Sequence, residues 1–424
     1  MAPLRDGVGH SRARRRAATR LLGRIGGALG ILLPVVFAGL IATPTEVEAA
    51  LPQECSPTTI FNLAGLPAGG SSGNAGNIYA LDVNTGQNTM IGRFGSGNST
   101  ALNGLAVTDD LSAAYAVTQT NGTTIWTHTQ AGVNSSVSAP STGMTMVMGA
   151  VDPVTGIYYY AGYTGSGAGL TLAIFGYDPA TNTPLGRLAN VSMAGTGFST
   201  GDIAFDGSGN LFVVAGTYNT VGTNTSQIRR VDGPLPTSGP AVTLPPTTLA
   251  TNTAPVGSGF YNGIAFAADG TLFAQYATTG TATLVDINPN TGAVTTTTAQ
   301  GGVASGIILT DLAGCSLPGT LTVQKDLPAG RAGADDQFTI TITGGGITEG
   351  NSNTTTGTAA GIQDERVGPL PGIPSTEYTI SESLAQGTTT SIDAYTTSWS
   401  CEDTNPGGGV VHCARSADAR AGAG

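Results

Sequence analysis

The sequence predicts an all-β fold with two modules, a large ring of repeated strands followed by a small β-sandwich. Three observations predict it: short apolar runs alternate with turns rich in Gly and Pro, one phrase recurs every 43 to 62 residues, and strands of period two fill much of the last quarter. Of the 424 residues, 40% are hydrophobic and 10% are charged. That composition supplies enough apolar chain for two or three domains and is too weakly charged for a disordered protein.

The charge balance argues against nucleic acid and anionic lipid surfaces as partners. The chain has 16 Lys and Arg against 27 Asp and Glu. Seven arginines and three acidic residues lie in residues 1–49, so the rest of the chain has 9 basic against 24 acidic residues, a net charge of −15. Such a chain repels phosphate groups. We therefore expect no nucleic-acid partner and no membrane contact beyond the N-terminal segment.

Residues 1–49 have the pattern of a secretory signal. Residues 1–24 are rich in Arg, residues 25–42 are apolar, and small residues ending at Ala49 follow. That order is typical of an export signal. The apolar stretch is also just long enough for an uncleaved membrane anchor, although Pro34 and its glycines disfavour a permanent span. The sequence thus predicts a secreted or cell-surface protein.

Four cysteines follow the signal and are therefore expected in an oxidising compartment. They are Cys55, Cys315, Cys401 and Cys413. Their context favours a Cys55–Cys315 bridge between the two ends of the large module, and a Cys401–Cys413 bridge across a Pro/Gly-rich turn. No C-x-x-C pair occurs and only two histidines follow the signal, so we predict no metal site and no cofactor.

A repeated phrase indicates a ring of sheets within residues 50–316. A glycine opens a short apolar strand, and a polar turn and a second apolar strand follow it. The repeats open at Gly104, Gly149, Gly201, Gly263 and Gly306. Their steps of 45, 52, 62 and 43 residues are typical of propeller blades and too long for helical repeats. Hairpins with Asp or Asn turns lie between the copies, as at residues 79–86.

The two ends of this region complement each other. The hairpin at residues 78–95 lacks a repeat-type strand before it, and the strand at residues 306–312 lacks a hairpin after it. Pairing the two would close the ring and remove exposed sheet edges. The sequence therefore predicts a β-propeller of five blades. A sixth blade fits in the 62-residue step, and a β-sandwich is the alternative fold.

Residues 317–413 form the predicted β-sandwich, and residues 414–424 a disordered tail. The strands of the sandwich are predicted at residues 321–325, 335–342, 377–384 and 395–401. The order L-T-V-x-K, D-x-F-x-I-x-I, Y-T-I-x-E and W-x-C resembles the SpaA-like, prealbumin-like (Cna B-type) domains of Gram-positive surface proteins, over residues 319–413. The region in front resembles, less specifically, the N-terminal part that accompanies such domains in actinobacterial surface proteins.

The resemblance implies a role for Lys325, the only lysine in the chain. In some members of the family the strand lysine condenses with an asparagine of the last strand and a buried acid assists, so Lys325 would be the amine and Glu382 the acid. Burial favours the neutral amine and the protonated carboxyl that this isopeptide chemistry needs. The expected asparagine is missing, because none follows Asn405. The alternative is a simple Lys325–Glu382 ion pair.

The predicted function is that of a non-catalytic surface protein, adhesin-like or structural, whose propeller displays ligand-binding loops on a β-sandwich stalk. Its partner would be an extracellular protein or a glycan. Candidate contacts for a ligand in the channel are Asn103, Asp202 and Asn262, each beside a repeat glycine. The alternative is a propeller-fold lyase or hydrolase with a carboxylate-bound metal. The scarcity of histidine and of a nucleophilic serine with a histidine partner disfavours that alternative.

Overall fold

The structure is a computed structural model, and it describes most of the chain after the predicted signal. The described residues are 50–65, 75–95, 100–193, 197–217, 225–253, 259–278, 281–303, 307–315 and 319–402. The predicted signal, the predicted tail and Cys413 lie outside them. The described chain is built of β-strands, as predicted, with short 3₁₀ helices at Gly167–Gly169 and Ile392–Ala394. Within these residues there is no helix of the length and apolar character that a bilayer crossing requires.

The first module consists of strands arranged in five sheets. In chain order they are β1 (Thr59–Gly65), β2 (Asn77–Asp82), β3 (Asn88–Arg93), β4 (Leu102–Val107), β5 (Ala113–Thr118), β6 (Thr124–Thr129), β7 (Asn134–Ser138), β8 (Met146–Val151), β9 (Tyr158–Thr164), β10 (Thr171–Asp178), β11 (Thr183–Ser192), β12 (Thr200–Phe205), β13 (Leu211–Gly216), β14 (Thr225–Val231), β15 (Val242–Leu244), β16 (Thr247–Thr253), β17 (Phe260–Phe266), β18 (Leu272–Thr278), β19 (Thr281–Ile287), β20 (Val294–Ala299) and β21 (Ile308–Ala313). Each sheet is one blade, so the described residues confirm the five-blade prediction.

The blades follow one another around a closed ring. The inner strands of the second to fifth blades are β4, β8, β12 and β17, and each pairs on one side only. The inner strand of the first blade is β21, which comes last in the chain. Neighbouring inner strands contact each other from β21 through β4, β8, β12 and β17 back to β21.

The longest step between repeats contains one extra strand, β15, and, among the described residues, no sixth blade. β15 pairs in parallel with β11 and widens the third blade. β16 pairs with β14 and completes the fourth blade. The extra length therefore enlarges an existing sheet.

The ring closes by pairing of its two ends, as the sequence predicts. β1 lies between β2 and β21, with Phe61 opposite Ala313 and Leu63 opposite Asp311. The predicted bridge between Cys55 and Cys315 is present, with their Cα atoms 5.8 Å apart and 260 residues between them in sequence. Both the strand pair and the covalent bond hold the two ends in the first blade.

The ring strands are apolar on both faces because the blades pack against one another. All six residues of β4 and all six of β13 are buried. A continuous apolar run is the expected pattern for a strand covered on both faces. The rings of Tyr159 and Phe205, for example, lie 5.6 Å apart between the third and fourth blades. Aromatic side chains thus contribute to the core between the blades.

Aspartates close several hairpins by local hydrogen bonds. In each case the carboxylate accepts the backbone N–H of the second residue after it at 2.9 Å. Asp152 accepts from Val154, Asp206 from Ser208 and Asp269 from Thr271. This is the turn geometry that Asp side chains favour. These three aspartates are therefore turn residues.

The second module has two small sheets. Its strands are β22 (Thr320–Leu327), β23 (Phe338–Gly344), β24 (Ser352–Thr354), β25 (Gly361–Pro371) and β26 (Tyr378–Leu384). β22 pairs with β25, and β23 lies between β24 and β26. Apolar side chains of both sheets, including Val323, Ile342 and Val367, form the core between them.

One strand prediction in this module is wrong, and one long strand was not predicted. Residues 395–401 form no strand. Instead, the ring of Tyr395 packs edge-on against Phe338 at 4.9 Å, and its hydroxyl donates to Asp336 at 2.5 Å, so a side chain attaches this segment. The partner of β22 is β25, which the sequence did not reveal because its charged residues and its prolines, Pro369 and Pro371, are typical of a loop.

The sandwich contacts the turns of the fourth and fifth blades. The hydroxyls of Ser208 and Thr320 are 2.6 Å apart. The side-chain amide of Asn290 donates to the carbonyl oxygens of Gly345 at 3.2 Å and Pro371 at 3.3 Å. The two modules are therefore in direct polar contact beside residues 316–318, which lie outside the described residues.

Candidate functional site

The axis of the ring is where the free edges of the inner strands meet. Each inner strand pairs with its own blade on one side, so the N–H and C=O groups of its other edge need partners elsewhere. A buried N–H without an acceptor costs about 1–3 kcal/mol. The centre of the ring must therefore supply hydrogen-bond acceptors.

Asp202 on β12 supplies most of them. It is fully buried, and its Oδ1 accepts the N–H of Ile203 at 2.8 Å and that of Gly149 at 3.4 Å. Its Oδ2 accepts the N–H of Ile264 at 2.9 Å and that of Leu312 at 3.3 Å. These donors belong to β12, β8, β17 and β21. One carboxyl group thus links four of the five inner strands.

Asp311 on β21 links the remaining one. It is fully buried, and its Oδ2 accepts the N–H of Leu105 on β4. Its carboxyl is also hydrogen-bonded to that of Asp202. The pair therefore receives backbone N–H groups from all five inner strands.

Burial raises the pKa of both carboxyl groups, because removal from water disfavours their charged forms. It raises the pKa of Asp202 to about 7, although the backbone donors oppose the shift. The pKa of Asp311 lies well above its ordinary value, first through burial and then through the adjacent charge of Asp202. Both oxygens of Asp202 already accept backbone N–H groups, whereas Oδ1 of Asp311 is buried and accepts none. We therefore assign the shared proton to Asp311, which donates it to Asp202.

The repeat glycines make room for this arrangement. A Cβ atom on Gly149 would overlap the carbonyl oxygen of Gly104, and one on Gly104 would lie 2.8 Å from the carbonyl oxygen of Met148. One on Gly263 would lie 2.7 Å from Cγ of Leu312. The glycines thus permit the inner strands to approach closely.

The other two predicted channel residues are engaged in hydrogen bonds within the protein. The Oδ1 atom of Asn103, on β4, accepts the N–H of Gly104 at 2.7 Å. The amide of Asn262, on β17, donates to the carbonyl oxygen of Leu309 at 2.9 Å and accepts from Gln275 at 3.1 Å. Asn103, Asp202 and Asn262 all lie on inner strands, and ligand contact by any of them remains a prediction.

Sequence reasoning missed Asp311, although a signal was present. The phrase Asp311-Leu312-Ala313 repeats Asp202-Ile203-Ala204. An alignment of the repeats by this phrase would have placed both acids at one level of the ring.

Sequence reasoning also missed a cluster of amides between the first and fifth blades. The amide nitrogen of Asn62 donates to Gln275 at 3.0 Å and to Gln300 at 3.1 Å, and Gln300 donates to Gln275 at 2.9 Å. The Oδ1 atom of Asn62 is buried and accepts no hydrogen bond. A single Asn between Phe61 and Leu63 in an apolar strand was the only signal in the sequence.

The inner strands enclose a cavity of about 40 Å³, lined by residues such as Leu105, Ile203, Ile264 and Leu312. That volume accommodates water, whereas small-molecule sites usually measure about 300–1,000 Å³. Among the described residues, no three or more His, Cys, Asp and Glu side chains are grouped so that they could hold a metal ion. The arrangement can hold a proton and fix the five strands.

The second candidate site lies inside the sandwich. Lys325 has an inward position on β22 between the buried Val323 and Leu327, and its Nζ is 2.6 Å from Oε1 of Glu382 on β26. Their side chains are 15% and 8% exposed. The ammonium also lies 4.7 Å from the centre of the Phe338 ring, a favourable cation–π distance.

The structure therefore brings together the two residues that the family resemblance singled out, as an ion pair. Within residues 319–402, no hydrogen bond joins Lys325 to an asparagine, and the isopeptide bond remains a prediction. Cys401 is disulfide-bonded, and Cys413, its predicted partner, lies outside the described residues.

Comparisons with known proteins identify one module. No curated protein matches the chain. Among solved structures, the chain is similar to the β-propeller domain of Cps50 (Swd1) from Myceliophteria thermophila, with 11% identity, a TM-score of 0.34, and coverage of 66% of this chain and 93% of that one. It is also similar to a functionally unknown protein from Desulfotomaculum acetoxidans, with 11% identity, a TM-score of 0.31, and coverage of 58% and 81%. Residues 320–419 match the family described as a prealbumin-like fold domain, of SpaA type. The C-terminal module is therefore a SpaA-like domain with the prealbumin-like fold.

Proposed function

We propose that this protein is exported and acts at the cell surface or in the medium as a non-catalytic protein, adhesin-like or structural. The propeller would present its loops to an extracellular protein or glycan. The SpaA-like sandwich would be the stalk that carries it. The same chain would need no cofactor for this role.

The observation that carries the proposal is that the polar side chains at the centre of the ring form hydrogen bonds within the protein. Four backbone N–H groups already bond to Asp202, and Asn262 bonds to Gln275 and Leu309. A catalytic carboxylate must reach a substrate or a metal. The side chains of Asp202 and Asn262 are instead buried, and their polar atoms bond to other groups of the protein. This favours a scaffold over the lyase or hydrolase alternative.

Two further features support export and display. The Cys55–Cys315 disulfide is typical of proteins that fold in an oxidising compartment, where the Arg-rich and apolar segment of residues 1–49 would direct the chain. The contacts of Ser208 and Asn290 with the sandwich would hold the propeller in a fixed orientation on its stalk.

Export is tested by expressing the full chain in a Gram-positive host and measuring its location and intact mass. We expect the protein on protease-accessible cell surfaces or in the medium, with the N-terminal segment removed and two disulfides formed. A chain found in the cytoplasm with free thiols would contradict the proposal. A mass lower by one ammonia would report an isopeptide bond.

The non-catalytic role is tested by assaying the purified full chain against esters, lactones and polysaccharides, with and without added divalent metals. We expect no turnover, and specific retention on an array of glycans and extracellular-matrix proteins. A metal-dependent hydrolase or lyase activity that is lost in Asp202→Asn but kept in Asp269→Asn would overturn the proposal. Asp269 is the control because its carboxylate only closes an exposed turn.

A further inference from the structure

We propose that the Asp202–Asp311 pair is a proton-dependent lock for the ring, which holds the five blades tightly while it carries its proton and loosens when that proton is lost. The lock is distinct from the display role, because it concerns the centre of the ring and no external ligand. It is argued from the placement of the two carboxyls, their donors and their surroundings.

The placement makes the pair a shared fastener of the blades. Backbone N–H groups of Leu105, Gly149, Ile203, Ile264 and Leu312 bond to it, one from each inner strand. The blades are otherwise joined by side-chain packing and by hydrogen bonds that each link two neighbouring blades, such as that of Asn62 with Gln275. A change in the charge of the pair is therefore felt by every blade at once.

The surroundings offer no counter-charge for a second negative charge. The described inner strands contain no Lys, Arg or His. The titratable groups that face this region are Tyr158 on β9, whose hydroxyl donates to the carbonyl oxygen of Gly104 at 2.5 Å, and Asp109, which lines the adjacent cavity. Burial raises the pKa of Tyr158 well above its ordinary value, so it remains neutral. Two ionised carboxylates in contact would repel each other without compensation.

The site favours a proton over a metal ion. Backbone N–H groups present the positive ends of their dipoles and stabilise negative charge at Asp202. The same groups would repel a cation placed between the carboxyls. A proton on Asp311 needs no coordination shell and leaves the oxygens of Asp202 free to accept the N–H groups.

The direction of the pH effect follows from the raised pKa values. A carboxyl whose pKa is raised by folding stabilises the native state at low pH, where the carboxyl is protonated in both the folded and the unfolded chain. This contribution is lost as the pH rises. The loss begins near the ordinary value of 3.8 and, for Asp202, continues to about 7. The raised pKa of Asp311 acts in the same direction, through burial and the adjacent charge of Asp202. Each retained proton changes the unfolding equilibrium constant about tenfold per pH unit in this range.

An asparagine side chain can form the hydrogen bonds of Asp311 but not those of Asp202. In Asp311→Asn the side-chain oxygen can still accept the N–H of Leu105, and the new NH₂ can donate to Asp202 as the protonated carboxyl does. In Asp202→Asn the new NH₂ would face backbone N–H donors of Ile264 and Leu312, because Oδ2 accepts both. The lock therefore predicts opposite outcomes for two isosteric substitutions.

The test is denaturant unfolding of the full chain from pH 5 to pH 9 for the unaltered protein, Asp311→Asn, Asp202→Asn and the exposed-turn control Asp269→Asn. We expect the ring of the unaltered protein and of the control to lose stability as the pH rises. Asp311→Asn should match their stability at pH 5 and exceed it at pH 9. Between these pH values its unfolding equilibrium constant should rise at least tenfold less than that of the unaltered protein. Asp202→Asn should be weakened at every pH.

Several outcomes would overturn the lock. They are an unchanged pH dependence in Asp311→Asn, equal tolerance of the two substitutions, or stabilisation of the unaltered protein at pH 8 by divalent metal beyond that reached at pH 5. If neither variant folds, infrared spectroscopy of the unaltered protein decides. The C=O stretch of a protonated carboxylic acid should persist at pH 8, and its absence would refute a retained proton.

Discussion

The propeller and the sandwich each bury an acidic side chain, and they stabilise it in different ways. In the ring, Asp202 is bonded by backbone N–H groups and by the carboxyl of Asp311. In the sandwich, Glu382 contacts the ammonium of Lys325. At the axis of the ring, free strand edges provide donors from the main chain, whereas in the sandwich a charged side chain provides the compensation. The source of the compensation thus differs between the two modules.

The modules also differ in how their sheets end. In the ring, β21 from the end of the module pairs with β1 from its beginning, so the first blade joins the two ends of the module. In the sandwich, β22 pairs only with β25 and β26 pairs only with β23 among the described residues. Closure distributes stability over the whole ring, while the sandwich relies on a small core and one buried ion pair.

The largest expected effect concerns ring closure. Replacing both Cys55 and Cys315 by Ser should lower the free energy of unfolding of the propeller by about 4 kcal/mol, because the disulfide constrains a very long loop of the unfolded chain. Hydrogen exchange monitored by mass spectrometry on the full chain would show faster exchange in β1 and β21, with sandwich peptides unchanged. Equal loss of protection in both modules would show that they unfold as one unit.

The second prediction concerns the ion pair of the sandwich. Lys325→Met should destabilise that module by about 3 kcal/mol, because it leaves the carboxylate of Glu382 buried without its partner. The double variant Lys325→Met with Glu382→Met should recover most of the loss, since an apolar pair needs no compensation. Hydrogen exchange of β22 and β26 measures both effects. A double variant as unstable as the single one would mean that packing of the lysine stem, and not charge, explains the loss.

The smallest predicted effect tests the close approach of the inner strands. Gly149→Ala should destabilise the propeller by about 2 kcal/mol, because the added methyl group overlaps the carbonyl oxygen of Gly104 and forces β4 and β8 apart. Gly169→Ala is the matched control, since a Cβ atom there has no neighbour within 4 Å. Thermal unfolding of the two variants should differ, and equal midpoints would contradict the proposed spacing role.

The sequence predicted the ring well because its signals are local and repeated. Each copy of the glycine phrase marks an inner strand, and the two incomplete copies at the ends identified the closure and the Cys55–Cys315 bridge. The sandwich was predicted less well. β25 was missed because its residues are mostly polar and it ends in prolines, and only its pairing with β22 makes it a strand.

For the candidate sites too, the sequence identified single residues more readily than the contacts between distant ones. Lys325 and Glu382 were found together because a family pattern linked them, and the structure places them in contact. Asp202 was found because it stands beside a repeat glycine, but its bond to Asp311, 109 residues away in sequence, depends on ring closure. The amide cluster around Asn62 likewise depends on contacts between distant blades. The sequence can mark such residues one at a time, but the closed ring determines which of them become partners.

The position of β21 has a consequence for biogenesis. β1 is made early, but its partner is Ile308–Ala313, so an emerging chain must wait for almost the whole module before the first blade can form. Until then β1 exposes an unpaired edge, a state prone to association with other chains. Slowing the elongation or translocation of residues beyond 300 should therefore increase dependence on chaperones, whereas truncation after residue 315 should not.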